Sequence, residues 1–217
     1  MCYGDATCRK KYHIISTYFK NYNKLLSTDI LQIKYDAQSI DDQWIEISNK
    51  YPIERLVFLV GVRSSKQTIV NTSLDEWKNL IEINALSFLK LYKLLSSNLR
   101  ENHARIVVVS SSAATDNKAK SGPYSASKLL LESIVQTLSK EESEYGVGFN
   151  IVSPSLIDSR LARDLVIAKG YSSYEKYIDT ILNGKILSTE SVSKKIVDII
   201  NMNNTDFITG QVFYLLP

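Results

Sequence analysis

The chain has 217 residues, of which 44% are hydrophobic and 23% charged, with a formal net charge of +3. That length supports one ordinary domain with a substantial core, and the balance is that of a globular protein rather than a disordered or fibrous one. Acidic and basic residues interleave without a dense basic stripe, which argues against nucleic acid as a partner, and the longest apolar run, residues 56–62, is too short to span a bilayer.

Residues 1–10 (MCYGDATCRK) are polar and are expected to be irregular. Both cysteines, Cys2 and Cys8, lie there, where a bridge would fix little, and residues 1–15 carry no apolar leader stretch. A reducing, cytoplasmic compartment is the expectation. Short β-branched runs then predict strands at 12–18 (YHIISTY), 30–35 (ILQIKY), 56–62 (LVFLVGV), 105–109 (RIVVV), 148–152 (GFNIV) and 211–215 (QVFYL). Near-continuous apolar character in LVFLVGV and IVVV suits strands buried on both faces.

Helical patterns fall between these runs. Ser73 and Glu76 have the spacing of a capping box before a long apolar series, Trp77, Leu80, Ile81, Ile83, Leu86, Leu89, Leu91 and Leu94. Further helices are predicted over 124–145 and 189–201. Strand–helix–strand alternation predicts an α/β fold, a mostly parallel, doubly wound sheet between two helical layers, with ligands beyond the carboxyl ends of its strands. The polar loop 110–123 (SSSAATDNKAKSGP) leaves one such end and leads into GPYSASKLLLES.

Tyr124 and Lys128 stand four apart on that predicted helix and so share a face. An ammonium beside a phenol favours phenolate and makes a usable acid of a group that ordinarily titrates near 10. With 13 tyrosines in the chain, about one Tyr-x-x-x-Lys arises by chance, so the surroundings decide. Only His13 and His103 are available as histidines, and neither has a Cys or His at ligand spacing, so no metal site is expected.

Ser111 just past RIVVV, Tyr124 and Lys128 in YSASK, and Asn84 amid WKNLIEINALS resemble the short-chain dehydrogenase/reductase family, in particular its 3-oxoacyl-acyl-carrier-protein reductases. FNIVSPSLIDS and FITGQVFYL extend the resemblance to roughly residues 11–215. It implies one Rossmann-like domain over 1–217, with a substrate lid at 160–187. It also implies catalysis by four residues. Tyr124 gives a proton to the substrate carbonyl, Ser111 bonds the same oxygen, Lys128 lowers the phenol pKa and binds the nicotinamide ribose, and Asn84 holds a relay water.

The cofactor positions implied are Asp36 at the adenine amine, Gly61 at a close backbone approach, and Pro154, Ile157 and Ser159 at the carboxamide. The strand 12–18 is followed by no acid to hold ribose hydroxyls, whereas Lys20 lies nearby, which favours a 2′-phosphate and hence NADP(H). The implied substrate is a carbonyl on an acyl carrier protein, met by Arg163 with Arg160, Lys118 and Lys120 around it. Tyr171, Tyr174 and Tyr177 suit either an apolar-lined pocket or ordinary helix packing. A homodimer or tetramer is also implied.

Two departures mark the pattern. Gly4 is the sole glycine before Gly61, so the family's first strand, its Gly-x-x-x-Gly-x-Gly phosphate loop and first helix are expected to be missing, an N-terminally truncated sheet. The family's Asn-Asn-Ala-Gly stands here as Phe58-Leu59-Val60-Gly61. The alternatives to a carrier-linked reductase are therefore a reductase of a small free ketone and a catalytically impaired relative used as a scaffold or oligomer partner.

Overall fold

A computed structural model describes residues 14–18, 30–39, 42–159, 162–164, 166, 170, 173–180, 186–202 and 208–217. It divides into two compact units, Met1–Ile40 and Asp41–Pro217. The first holds β1 (Ile14–Tyr18) and β2 (Ile30–Lys34), parallel, with Ile14 opposite Ile30 and Tyr18 opposite Lys34. Residues 1–13, including the irregular 1–10 stretch, lie outside the described residues, as does Lys20.

The second unit holds β3 (Arg55–Phe58), β4 (Arg105–Val109), β5 (Gly148–Pro154) and β6 (Gln211–Leu215) in the order β3-β4-β5-β6, every pair parallel. β4 and β6 have the predicted bounds. β3 does not: pairing with β4 ends at Phe58, opposite Val108, and residues 59–62 leave the ladder. Their backbone is caught by a side chain instead, as described below.

The helices are α1 (Gln43–Lys50), α2 (Leu74–Ile81), α3 (Ser87–Glu101), the short α4 (Ala113–Asp116), α5 (Gly122–Glu141), α6 (Tyr174–Thr180) and α7 (Thr189–Ile200). Ser73 caps α2, its Oγ accepting from Glu76 N at 3.2 Å. The expected box is only half formed, because the Glu76 carboxylate accepts instead from Ser65 N and Ser65 Oγ, each at 2.7 Å. A π-helical turn, Glu82–Leu86, separates α2 from α3 and interrupts what the apolar pattern presents as one helix. α5 is followed by a 3-10 turn, Ser143–Tyr145, and stops at Gly146 with φ of 70°, a backbone state suited to glycine.

Alternation along the strands sorts the core into two layers. Val107 and Val152 pack against Val192, Ile196, Ile199 and Ile200 of α7. The intervening positions face α3: Phe58 meets Phe88 edge-on at 5.2 Å between centroids, and Phe149 meets Tyr92 at 5.4 Å. Helices on both faces of an all-parallel sheet are the Rossmann-like arrangement expected.

Two polar clasps hold the α3 layer. Asn98 accepts from Ile53 N at 2.9 Å and donates to Ser48 O and Tyr51 O, closing the end of α1. Arg100 grips Glu142 with both arms, at 2.7 and 2.8 Å, and its guanidinium lies 4.1 Å from the Tyr145 ring centroid. Among the described residues no helix is long and apolar enough to cross a membrane. No group of three or more His, Cys, Asp or Glu there is placed to hold a metal.

Candidate active site at the ends of strands β3, β4 and β5

Beyond Val109 the β4–β5 ladder continues into the loop: Ser110 N donates to Val152 O at 2.8 Å and Ser112 N to Pro154 O at 2.9 Å. This fixes Ser111, whose Oγ accepts from Ala113 N at 3.2 Å and opens α4. α5 begins at Gly122 with Pro123 in its first turn, where a missing N–H costs nothing. Tyr124 follows in the same turn, and its phenol engages the Ser111 hydroxyl. Burial pushes the Tyr124 phenol above its ordinary value, and the Ser111 bond offsets part of that rise.

Lys128 lies one turn along α5 and is only 4% exposed. Its Nζ donates to Val109 O at 3.1 Å. Burial lowers its pKa to about 8 against the pull of Glu132, which favours the charged form. Gly61 closes over this ammonium. A Cβ built there would sit 3.2 Å from Lys128 Nζ and 3.6 Å from Asn84 Oδ1, so glycine lets the backbone lie directly on the pair.

Asn84, at the centre of the π-helical turn, is fully buried. Its Oδ1 accepts from Val62 N at 2.7 Å, and its Nδ2 donates to Val62 O at 3.0 Å and Ser127 Oγ at 2.9 Å. The amide thus imitates a strand partner for Val62 and holds residues 61–62 against Lys128. π-Helical turns recur where one side chain must be re-aimed into a site. Two of its side-chain bonds hold Val62, and the third ties it to Ser127 of α5.

The segment after β5 is fixed by Ser155 N donating to Leu215 O at 2.9 Å and by a parallel bridge between Ile157 and Leu187. Ser159 Oγ accepts from Ala162 N at 3.3 Å, which caps the helical turn beyond it. Arg163 Nη2 donates to Asp158 Oδ1 at 2.9 Å, and its guanidinium lies 4.4 Å from the Tyr174 ring centroid. Tyr174 OH donates to the same Asp158 oxygen at 3.0 Å. Burial, then the Asp158 bond, pushes the Tyr174 phenol up to about 12. Arg163 is therefore engaged in a clasp between Asp158 and Tyr174. Arg160 and Tyr171 lie outside the described residues.

Ser111 and Tyr124 meet just past β4, and Asn84, Gly61 and Lys128 meet where Lys128 reaches Val109 O. Pro154 ends the neighbouring strand, with Ile157 and Ser159 beyond it. Asp36 belongs to the first unit, where its Oδ1 accepts from Gln38 N at 3.0 Å. Lys118 pairs with Asp116 at 3.1 Å. Three contributors were not anticipated. Lys66 donates to Ser121 Oγ at 2.8 Å and lies 6.0 Å from the Tyr124 ring centroid. Ser127 anchors Asn84, and Glu132 lies buried one turn beyond Lys128.

A short-chain dehydrogenase model, described as enoyl-(acyl carrier protein) reductase, matches residues 35–215. The chain belongs to the short-chain dehydrogenase/reductase family. It is 29% identical over 202 residues to 3-oxoacyl-(acyl-carrier-protein) reductase FabG of Buchnera aphidicola subsp. Schizaphis graminum, covering 90% of this chain and 80% of that protein. It is 24% identical over 213 residues to the FabG of Buchnera aphidicola subsp. Baizongia pistaciae, covering 98% and 83%. Among solved structures it shares its fold with ElxO with NADP bound, at a TM-score of 0.80 and 22% identity, covering 94% of this chain and 87% of that one.

The nicotinamide half of a dinucleotide fits this short-chain dehydrogenase/reductase site. The Lys128 ammonium carries three donors, of which the described bond to Val109 O uses one, and Gly61 brings backbone close beside it. For the pyrophosphate half, the given sequence contains no Gly-x-x-x-Gly-x-Gly motif.

Proposed function

We propose that the protein is an NADP(H)-dependent carbonyl reductase in which Tyr124 is the acid. The observation that carries this is the hydroxyl pair Ser111–Tyr124 at the end of β4, with a buried lysine one helical turn away. The cofactor, when bound, supplies hydride to the carbonyl carbon. Ser111 Oγ donates to the carbonyl oxygen and fixes its position. The Tyr124 O–H passes its proton to that oxygen as negative charge develops there, giving the alcohol. Burial keeps Tyr124 protonated beforehand, the form a reduction needs. Lys128 faces the phenolate that remains and offers further N–H donors to the ribose. Asn84 keeps Gly61 and Val62 in place above it, and a relay water at Asn84 belongs to the same reading. Pro154, Ile157 and Ser159 border the carboxamide, Asp36 meets the adenine amine, and Lys20 favours NADPH over NADH.

The substrate in this reading is a 3-oxoacyl group on an acyl carrier protein, reduced in the cytoplasm by a homodimer or tetramer. The names of the two Buchnera aphidicola relatives support it. Carrier proteins are acidic, and the outer face of Arg163, with Lys118 and Lys120, offers a basic rim. Reduction of a carrier-bound 3-oxoacyl substrate should slow as salt rises, and Arg163→Glu should slow it further. Insensitivity to both points to a small free ketone. The absence of a glycine loop from these residues favours the second reading, a non-catalytic scaffold. That reading requires no turnover even at saturating NADPH.

A further inference from the structure

We propose that Glu132 is a positioning residue for this reaction: its buried carboxylate, one helical turn beyond Lys128, keeps the Lys128 ammonium charged beside Tyr124. The inference rests on the functional reading above. Tyr124, Lys128 and Glu132 recur every four residues and so form one line along α5. The outermost reaches the Ser111 hydroxyl, the middle one the Val109 carbonyl, and the innermost lies beneath the ends of β4 and β5.

Glu132 is 4% exposed, a depth at which a glutamate is rarely found without a partner. Burial raises its pKa, and two buried hydroxyls, Ser110 from the end of β4 and Ser153 from β5, together with Lys128, oppose that rise. Even so, Glu132 Oε1, Ser110 Oγ and Ser153 Oγ lack partners of full hydrogen-bond geometry. Glu132 and Lys128 each favour the other's charged form. Among the described residues, Lys66 is a further charge near the site, at the Tyr124 ring. Gly61, Asn84 and the Val109 carbonyl, which lie beside Lys128, carry none.

Burial places Lys128 near pKa 8, within the range where its charge is lost under mildly alkaline conditions. Glu132 is the charge that opposes that loss. Replacing the carboxylate by an amide removes an opposite charge, so the lysine titrates at lower pH. A neutral Lys128 would leave the departing Tyr124 proton without a compensating cation. A glutamate serving only to hold Ser110 and Ser153 would be replaced by glutamine without moving the lysine.

The test is an NMR titration of the lysine ε-carbons, with the Lys128 signal assigned through Lys128→Arg, in the parent, Glu132→Gln and Glu132→Asp. The expected result is a fall of about one pH unit in Glu132→Gln and recovery of most of it in Glu132→Asp. The alkaline limb of kcat/KM should move down with it. A Lys128 titration in Glu132→Gln within about 0.3 units of the parent overturns the inference. If Glu132→Gln does not fold, Ser110→Ala with Ser153→Ala removes the groups that favour the carboxylate. It must lower the Lys128 titration in the same direction, and no movement is again fatal. If no variant, parent included, reduces a carbonyl, the functional reading fails while the titration still decides the coupling. Activity with an unmoved lysine sinks the inference alone.

Discussion

Replacing Asn84 by leucine keeps most of the side-chain volume but removes all three hydrogen bonds that fasten Val62 and Ser127. Asn84 is fully buried and Val62 half-buried, and Val62 N and O are left without that partner. At about 1 kcal/mol for each lost bond the cost is about 3 kcal/mol. For a chain of this length that lowers Tm by roughly 6–12 °C. Ser127→Ala is the internal standard. It removes only the 2.9 Å bond to Asn84 and the Ser127 Oγ bond to Tyr124 O, the latter within the helix, so about 1 kcal/mol is expected. Urea unfolding with unchanged m separates the two effects cleanly. The Leu variant should also bind nicotinamide cofactor more weakly, because Gly61 is no longer held over Lys128. A cost in Asn84→Leu no larger than that of Ser127→Ala would show that the amide does not brace the loop, and the account of the π-helical turn would fail.

Other expectations concern the surrounding supports. The bidentate Arg100 bond holds the Glu142 carboxyl below its ordinary range. Its stabilisation is therefore present above the unfolded-state value and lost as pH falls through the folded one. Glu142→Gln should cost about 2 kcal/mol near neutral pH and flatten the acid side of a urea-midpoint profile, and an unchanged slope would contradict this. Tyr174→Phe removes one of the two donors to Asp158 and should speed amide exchange in α6 without lowering Tm appreciably. Parental exchange rates would show that the clasp does not hold that helix. NADPH is expected to bind the 217-residue chain more weakly than about 1 µM, since it contains no glycine-rich loop for the pyrophosphate. Tighter binding in a fluorescence titration would mean that another segment holds those phosphates.

The parallel sheet was legible because RIVVV cannot be satisfied on one face, and the Tyr124–Lys128 line because helical spacing alone joins them. LVFLVGV was read as buried on both faces, but Val57 and Leu59 are exposed. Other features depend on groups that meet only in three dimensions. β3 ends early because Asn84, 22 residues further on, takes over the pairing of Val62. Glu76 leaves its capping role for Ser65, a competition that local spacing does not reveal. α1 was missed, although Trp44 and Ile47 stand three apart and both are buried. Glu132 reads as a solvated helix charge in a one-dimensional pattern, and only the strand ends above it make it buried. Arg163 was read as a free basic group because its partner, Asp158, and the Tyr174 ring come together only when the segment folds back.

The central claim is that Tyr124 supplies the proton. The direct measurement is the reduction rate of a carbonyl substrate at saturating NADPH, parent against Tyr124→Phe, with Tm recorded for both. The phenyl ring preserves the packing and removes only the hydroxyl, so the account predicts an unchanged fold and a rate lower by about 10²-fold or more. A Tyr124→Phe variant that reduces its substrate at the parental rate would contradict it.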